Sequence, residues 1–238
     1  MMKKNQLDRI TFTGADDSVD PAELVNISEE YPIVEWGILF SDKNAGIFRF
    51  PSFDWLDRLY QVHTRSMKLS AHLCGQYVRD TVVHGEWTWE FKYRPLLRLF
   101  QRIQLNFHGQ FHRSDNRFVA LLDDFSTYDW ILQCDSVNDA TAKKLASESR
   151  VVPLFDTSGG AGVVPDEWPE AWKGVYCGYA GGLGPETIRE QLPLIAKRAG
   201  DQPFWIDMEA LVRSNDDAVF DLTKVRAVLE ATRSVFWV

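Results

Sequence analysis

Eight short apolar or alternating segments, each bounded by turn residues, recur along the 238-residue chain: Arg9–Gly14, Ile33–Phe40, Met67–Gly75, Arg102–Gly109, Asp129–Cys134, Val151–Asp156, Gly174–Ala180 and Pro203–Glu209. Runs of this kind read as β-strands. Their starts lie roughly 22 to 36 residues apart, the length of a strand plus a crossover helix in parallel α/β architecture. Helical patterns fill the gaps. Asp20 is an N-cap candidate ahead of Pro21, Ser52–Val62 carries Phe53, Leu56, Leu59 and Tyr60 at helical spacing, Gly184-Pro185-Glu186 opens a helix toward Arg198, and Thr223–Thr232 forms the last helix. Eight strand-then-helix units predict an α/β fold of one domain, a single (β/α)8 TIM barrel over residues 1–238. A doubly wound sheet would carry a glycine-rich turn after strand one, and Thr13-Gly14-Ala15-Asp16-Asp17 lacks GxGxxG. The longest connection, Gln76–Gln101, holds Trp87, Trp89, Phe91 and Tyr93. It is read as ordinary packing over a barrel end, with a partner surface as the alternative.

Composition narrows the class of function. With 26 Lys and Arg against 34 Asp and Glu the net charge is −8, and no basic run stands out, so nucleic acid is not an expected partner. The basic Met1–Gln6 segment is followed by Leu7-Asp8-Arg9 rather than by an apolar run, and no stretch reaches about 18 apolar residues. Neither export nor a membrane partner is expected. Cys74, Cys134 and Cys177 lie far apart without CxxC spacing, which indicates neither a disulfide framework nor a zinc ribbon and fits a reducing cytoplasm. A small-molecule substrate is the expected partner, no cofactor or metal is indicated, and the oligomeric state is not legible.

Alternate residues of a barrel strand point inward, where branched apolar side chains normally pack. Here one parity per strand collects Thr11 and Thr13, Glu35, then Ser70, His72 and Cys74, then Gln104, Asn106 and His108, then Gln133, Asp156, Asp207 and Glu209. A polar residue in mid-strand is better accommodated at the inner mouth, with hydrogen-bond partners and water at hand, than against an apolar helix. The C-terminal mouth is also where barrel enzymes place their chemistry. Asp156 precedes Thr157-Ser158-Gly159-Gly160-Ala161-Gly162, a loop of small residues able to approach a ligand closely. Tyr179-Ala180-Gly181-Gly182-Leu183-Gly184 joins strand seven to a helix. Backbone N–H groups at Gly181 and Gly182, with the helix N-terminus, could hold an anion, although a tight turn selects the same residues.

Four stretches resemble phosphoribosylanthranilate isomerase, the tryptophan-biosynthesis barrel. Leu154-Phe155-Asp156-Thr157 with Gly159-Gly160-Ala161-Gly162 and Trp168 is similar to its strand-six signature, and Ala180-Gly181-Gly182-Leu183 with Pro185-Glu186 to its strand-seven phosphate loop. Ile103-Gln104-Leu105 followed by His108-Gly109 resembles its valine-glutamine-leucine-histidine-glycine, with Asn106-Phe107 inserted. Gly37–Phe40 followed by Arg49-Phe50-Pro51-Ser52 resembles the segment whose arginine holds the substrate carboxylate. The resemblance implies that Asp156 is a general acid on a furanose ring oxygen in an aldose–ketose rearrangement. Two departures stand against the family's own activity. Thr13-Gly14 replaces the cysteine-glycine whose thiolate is the base, and Asp207-Met208-Glu209-Ala210-Leu211 replaces an aspartate followed by small phosphate-binding residues. A glutamate there repels a phosphate dianion. Glu209 is the first substitute base, with His108 and Cys74 after it.

The leading expectation is therefore a cytosolic barrel enzyme doing acid/base chemistry of the aldose–ketose isomerisation type on a small sugar-derived metabolite, inefficient on phosphoribosylanthranilate itself. Asp156 and Glu209 are expected to do the chemistry, Thr13, Arg49, His72, His108 and Asp207 to contact substrate, and Gly181 and Gly182 to hold an anion. The alternatives are a true phosphoribosylanthranilate isomerase with a rebuilt base, a metal-dependent lyase or hydrolase using His72, His108, Asp156 and Glu209, and a non-catalytic ligand-binding barrel. No HxH or HExxH spacing supports the metal.

Overall fold

Eight parallel strands pair in chain order and close on themselves, with β1 hydrogen-bonded to both β2 and β8. They are β1 (Leu7–Thr13), β2 (Val34–Phe40), β3 (Lys68–Leu73), β4 (Arg102–Leu105), β5 (Asp129–Cys134), β6 (Val151–Phe155), β7 (Cys177–Ala180) and β8 (Phe204–Met208). The computed structural model describes residues 6–107, 116–148, 151–157 and 161–236. The single (β/α)8 TIM barrel expected from strand spacing is the observed fold. All eight strands lie within or beside the segments read from the sequence.

The helices form where capping and apolar spacing dictate. In α1 (Pro21–Glu30) the Asp20 carboxylate accepts from Ala22 N at 3.0 Å, and Pro21 occupies the first turn, where its missing N–H costs nothing. In α2 (Phe53–Val62) the Ser52 hydroxyl accepts from Trp55 N, and Trp55, Leu56 and Leu59 are buried against the sheet. The third connection is broken into α3 (Gln76–Arg79), one π turn, α4 (Thr88–Tyr93) and a 3₁₀ turn. Trp87, Trp89 and Tyr93 are buried there, with Trp89 and Tyr93 packed edge-on against Phe40, so packing is the role of this aromatic run. Then follow α5 (Asn116–Asp124), α6 (Asp139–Glu148), α7 (Ile188–Ala199) and α8 (Leu222–Phe236).

Two expectations need correction. The sixth connection carries no helix among the described residues. It runs as coil, held by Trp168, whose indole donates to Gln191 at 2.9 Å, and by Trp172 against Phe155. Further on, α7 starts at Ile188 rather than Gly184, because the Thr187 hydroxyl accepts from Gly184 N at 3.0 Å and donates to Gly182 O at 2.7 Å, closing a turn first. Among the described residues no helix is long and apolar enough to cross a membrane.

The two faces of the sheet differ sharply. Outward-facing Ile10, Phe12, Trp36, Ile38, Leu69, Ile103 and Leu132 are fully buried under the helices. Inward, the layer beneath the mouth is charged. Glu35 is 0% exposed and accepts from Thr11 at 2.9 Å and Arg9 at 2.7 Å, with the Arg102 guanidinium 3.2 Å away. Burial would raise this carboxyl, but Arg102 and Arg9 together hold it below the usual range, so it is ionised. Arg102 in turn lies 4.2 Å over the Trp205 ring, a cation–π contact that fills the barrel centre. Gly178 makes room for that ring: a Cβ built there falls inside the indole.

Gly178→Ala is therefore expected to destabilise the barrel by about 1 to 3 kcal/mol, the cost of overpacking a rigid core. Urea unfolding measures it, and Trp205→Phe in the same chain should return part of the loss; additive effects would show that the two residues do not compete for space.

Candidate active site

The strands end around an open cavity of about 180 Å³, lined among others by Gln104, Gln133, Asp156, Gly182, Asp207 and Glu209. These come from β4, β5 and β8 or from the residues just beyond β6, β7 and β8, so the cavity is the C-terminal mouth of the barrel.

Asp156 and Asp207 approach the cavity from strands separated by β7 alone. Both are buried, 6% and 5% exposed, and each accepts from a neutral donor on a neighbouring inward position. Gln133 Nε2 donates to Asp156 at 2.6 Å, and the Thr13 hydroxyl donates to Asp207 at 2.7 Å. Burial pushes the Asp207 carboxyl up to about 7, and the nearby Glu209 charge adds to this while Thr13 works against it. Thr13, standing where the resembling family has its base, thus spends its proton on Asp207.

Glu209 has a different setting. Its carboxylate is ion-paired with the Arg49 guanidinium, whose Nε is bound by Asp217. Arg49 itself sits at φ 74, a left-handed conformation that costs an arginine free energy, and its backbone N–H donates to Asp16 at 2.7 Å. Behind it Arg213, fully buried, donates to Gly14 O, to Asp16 at 2.6 Å and to Asp217 O at 2.9 Å. Asp16, Arg213, Asp217, Arg49 and Glu209 so form one charged chain that ties the loop after β1 to the loop after β8. Asp16, Asp217 and Arg213 carry no local sequence signal for this, since the partners Asp16 and Arg213 are 197 positions apart.

The remaining expected residues divide. His72 does lie inward, but 1% exposed and beneath the cavity rather than on its wall, with Nδ1 3.5 Å from the Thr13 hydroxyl. Burial pushes its imidazole down to about 3, so it is neutral. Cys74 is pushed up to about 12 by burial, which leaves it a thiol and removes it as a substitute base. His108 lies outside the described residues. Gly181 and Gly182 line the cavity, yet a Cβ on Gly181 would meet Val163 O at 2.8 Å and one on Gly182 would strike Val164 N. Close passage of the β6–β7 coil accounts for both glycines without an anion. Among the described residues no three His, Cys, Asp or Glu side chains gather as a metal-binding group.

Comparison with solved structures agrees with this architecture. Phosphoribosylanthranilate isomerase from Thermotoga maritima aligns over 96% of this chain and 100% of its own at a TM-score of 0.59 and 14% identity. The isomerase from Thermus thermophilus aligns over 95% and 99% at 0.61 and 16%. A variant tryptophan synthase alpha-subunit from the hyperthermophile Pyrococcus furiosus aligns over 97% and 100% at 0.57 and 14%. The chain shares the (β/α)8 barrel fold of these proteins. No family model matches it, and no curated protein matches its sequence.

A carboxyl raised to about 7 binds its proton more tightly in the folded than in the unfolded chain, so stability falls as pH rises from about 4 through 7. Asp207→Asn keeps the acceptor for Thr13 and removes the buried charge. It is expected to stabilise the protein by at least about 1 kcal/mol near pH 8 and to change it little near pH 4. Denaturant unfolding at the two pH values checks the sign; equal effects at both would mean that Asp207 is not the titrating group.

Proposed function

We propose that the chain is an acid/base enzyme that isomerises a small polar, sugar-derived metabolite from its aldose or glycosylamine form to the ketose form. The observation that carries this reading is the pair Asp156 and Asp207: two buried carboxyl groups facing one polar cavity at the barrel mouth, one of them titrating near neutral pH. A base is most effective when its pKa lies near the working pH. Asp207 meets that condition better than Glu209, whose carboxylate is committed to Arg49. The base role first given to Glu209 accordingly passes to Asp207, and Glu209 becomes the residue that fixes Arg49 at the rim.

In this scheme Asp156 gives its proton to the ring oxygen as the C1–O bond breaks, and the glycosidic nitrogen supplies the electron pair for the C1–N double bond. Asp207 takes the C2 proton, the C2–H bonding pair becomes the C1–C2 double bond, and the C1–N π pair returns to the nitrogen and neutralises it. The enol at C2 then becomes the ketone as C1 is protonated. Gln133 holds Asp156 in register for the first step, and Thr13 orients Asp207 for the second.

Exchange of the C2 proton with deuterated solvent, followed by NMR over a panel of pentoses, hexoses and their glycosylamines, tests the scheme. Asp156→Asn and Asp207→Asn should each lower turnover by about 10² to 10⁴, and kcat/KM should rise with pH through about 7 as Asp207 ionises. Wild-type exchange by Asp207→Asn would overturn the assignment. With Thr13 in the base position and Glu209 at the strand-eight loop, complementation of a tryptophan auxotroph lacking the isomerase is expected to fail at ordinary expression; growth would show phosphoribosylanthranilate to be the substrate.

A further inference from the structure

We infer that the mouth selects an amine-bearing, hydroxyl-rich sugar and turns away sugar phosphates, an inference that rests on reading this cavity as the substrate site. Charge is the first ground. Among the described residues the cavity wall carries three acidic side chains, Asp156, Asp207 and Glu209, against one cation, Arg49. That cation is already shared between Glu209 and Asp217, so no uncommitted cation among these residues meets a phosphate dianion.

Hydrogen-bond polarity is the second and independent ground. Gln104 and Gln133 line the same cavity, 4% and 6% exposed. Gln133 turns its amide nitrogen toward Asp156 Oδ2 at 2.6 Å, and Gln104 turns its own toward Asn106 Oδ1 at 2.9 Å. Among the described residues both amide oxygens are left as buried acceptors with no donor. A buried acceptor without a donor is costly, and a ligand that supplies N–H or O–H groups relieves that cost. An ammonium offers three donors and a positive charge, whereas a phosphate dianion offers only acceptors.

The strand-seven turn offers an anion less than its glycines suggest. Gly184 N–H is taken by the Thr187 hydroxyl, and Leu211 packs so tightly on Gly184 that a Cβ there would lie 2.5 Å from the leucine Cβ. An apolar side chain thus covers the backbone beside the glycine pair.

Titration calorimetry of the full chain with D-glucosamine, D-glucose and D-glucose 6-phosphate tests this, because the three share a ring and differ by an amine or a phosphate. Glucosamine is expected to bind more tightly than glucose and about tenfold or more tighter than the phosphate, the ratio that one favourable against one unfavourable charge contact near a protein surface produces. Added salt should weaken glucosamine binding and leave glucose binding unchanged. Glu209→Gln should narrow the preference, and the salt series on the unaltered protein decides the point if that variant does not fold. Binding of the 6-phosphate as tight as glucosamine, or no binding of glucosamine, overturns the inference. Amine preference without C2 exchange would remove the isomerase reading and leave this one standing; C2 exchange on sugar phosphates would do the reverse.

Discussion

A carboxylate with no solvent contact at the centre of a barrel is the constraint from which the rest of this structure follows. Glu35 can be ionised there only because Arg9 and Arg102 approach it from β1 and β4 and Thr11 donates to it. Removing either cation would leave an uncompensated buried charge, which costs about 3 to 5 kcal/mol. Arg102 then needs its own cover, and Trp205 provides it, which in turn requires a glycine at position 178. Above this layer the inward positions are polar in succession: Ser70 and His72, then Thr13 with Asp207, then Gln133 with Asp156. Beside these polar positions the inward Ile131, Leu154 and Trp205 pack as a small apolar cluster of their own, so the interior between the ion pair and the cavity is polar on one side and apolar on the other.

Much of this was legible in the sequence, for an identifiable reason. A parallel strand carries the same two-residue period wherever it lies, so Glu35, Gln104, Gln133, Asp156 and Asp207 could be placed on the inner face by parity alone. Turn chemistry located Asp20 and Ser52 as caps for the same local reason. What parity cannot supply is pairing. That Arg49 reaches Glu209, or Arg213 reaches Asp16, depends on how loops 160 and 197 positions apart are folded over the rim. Hence the sequence reads Glu209 as a base and Asp207 as a binding residue, while their partners, Arg49 and Thr13, are seen only in the folded chain and prompt the exchange of roles proposed above. The missing sixth helix has a similar origin: the stretch after Phe155 is rich in glycine and proline, and long-range contacts of Trp168 and Trp172 hold it in place of a helical repeat.

The same rim shows stability and chemistry drawing on opposite arrangements. The chain from Asp16 through Arg213 and Asp217 to Arg49 pairs every charge it contains and even holds an arginine in a left-handed conformation. Asp207, a few ångströms of strand away, has among the described residues a single hydroxyl donor and a neighbouring negative charge. A buried carboxyl kept that poorly compensated destabilises the fold, and such sites persist where function needs a group that exchanges protons.

The bond from Thr13 to Asp207 also says when the site comes into being. Its two ends are 194 positions apart and belong to the first and last strands, so it forms only when the cylinder shuts. Loops that long are entropically costly to close and slow to form. A chain still being synthesised, or one opened along the seam between β1 and β8, can hold Asp156 against Gln133 and yet lacks the bond that orients Asp207. On the proposed roles, the site is thereby tied to completion of folding: half-formed chains would carry Asp156 without its counterpart until the last strand is in place.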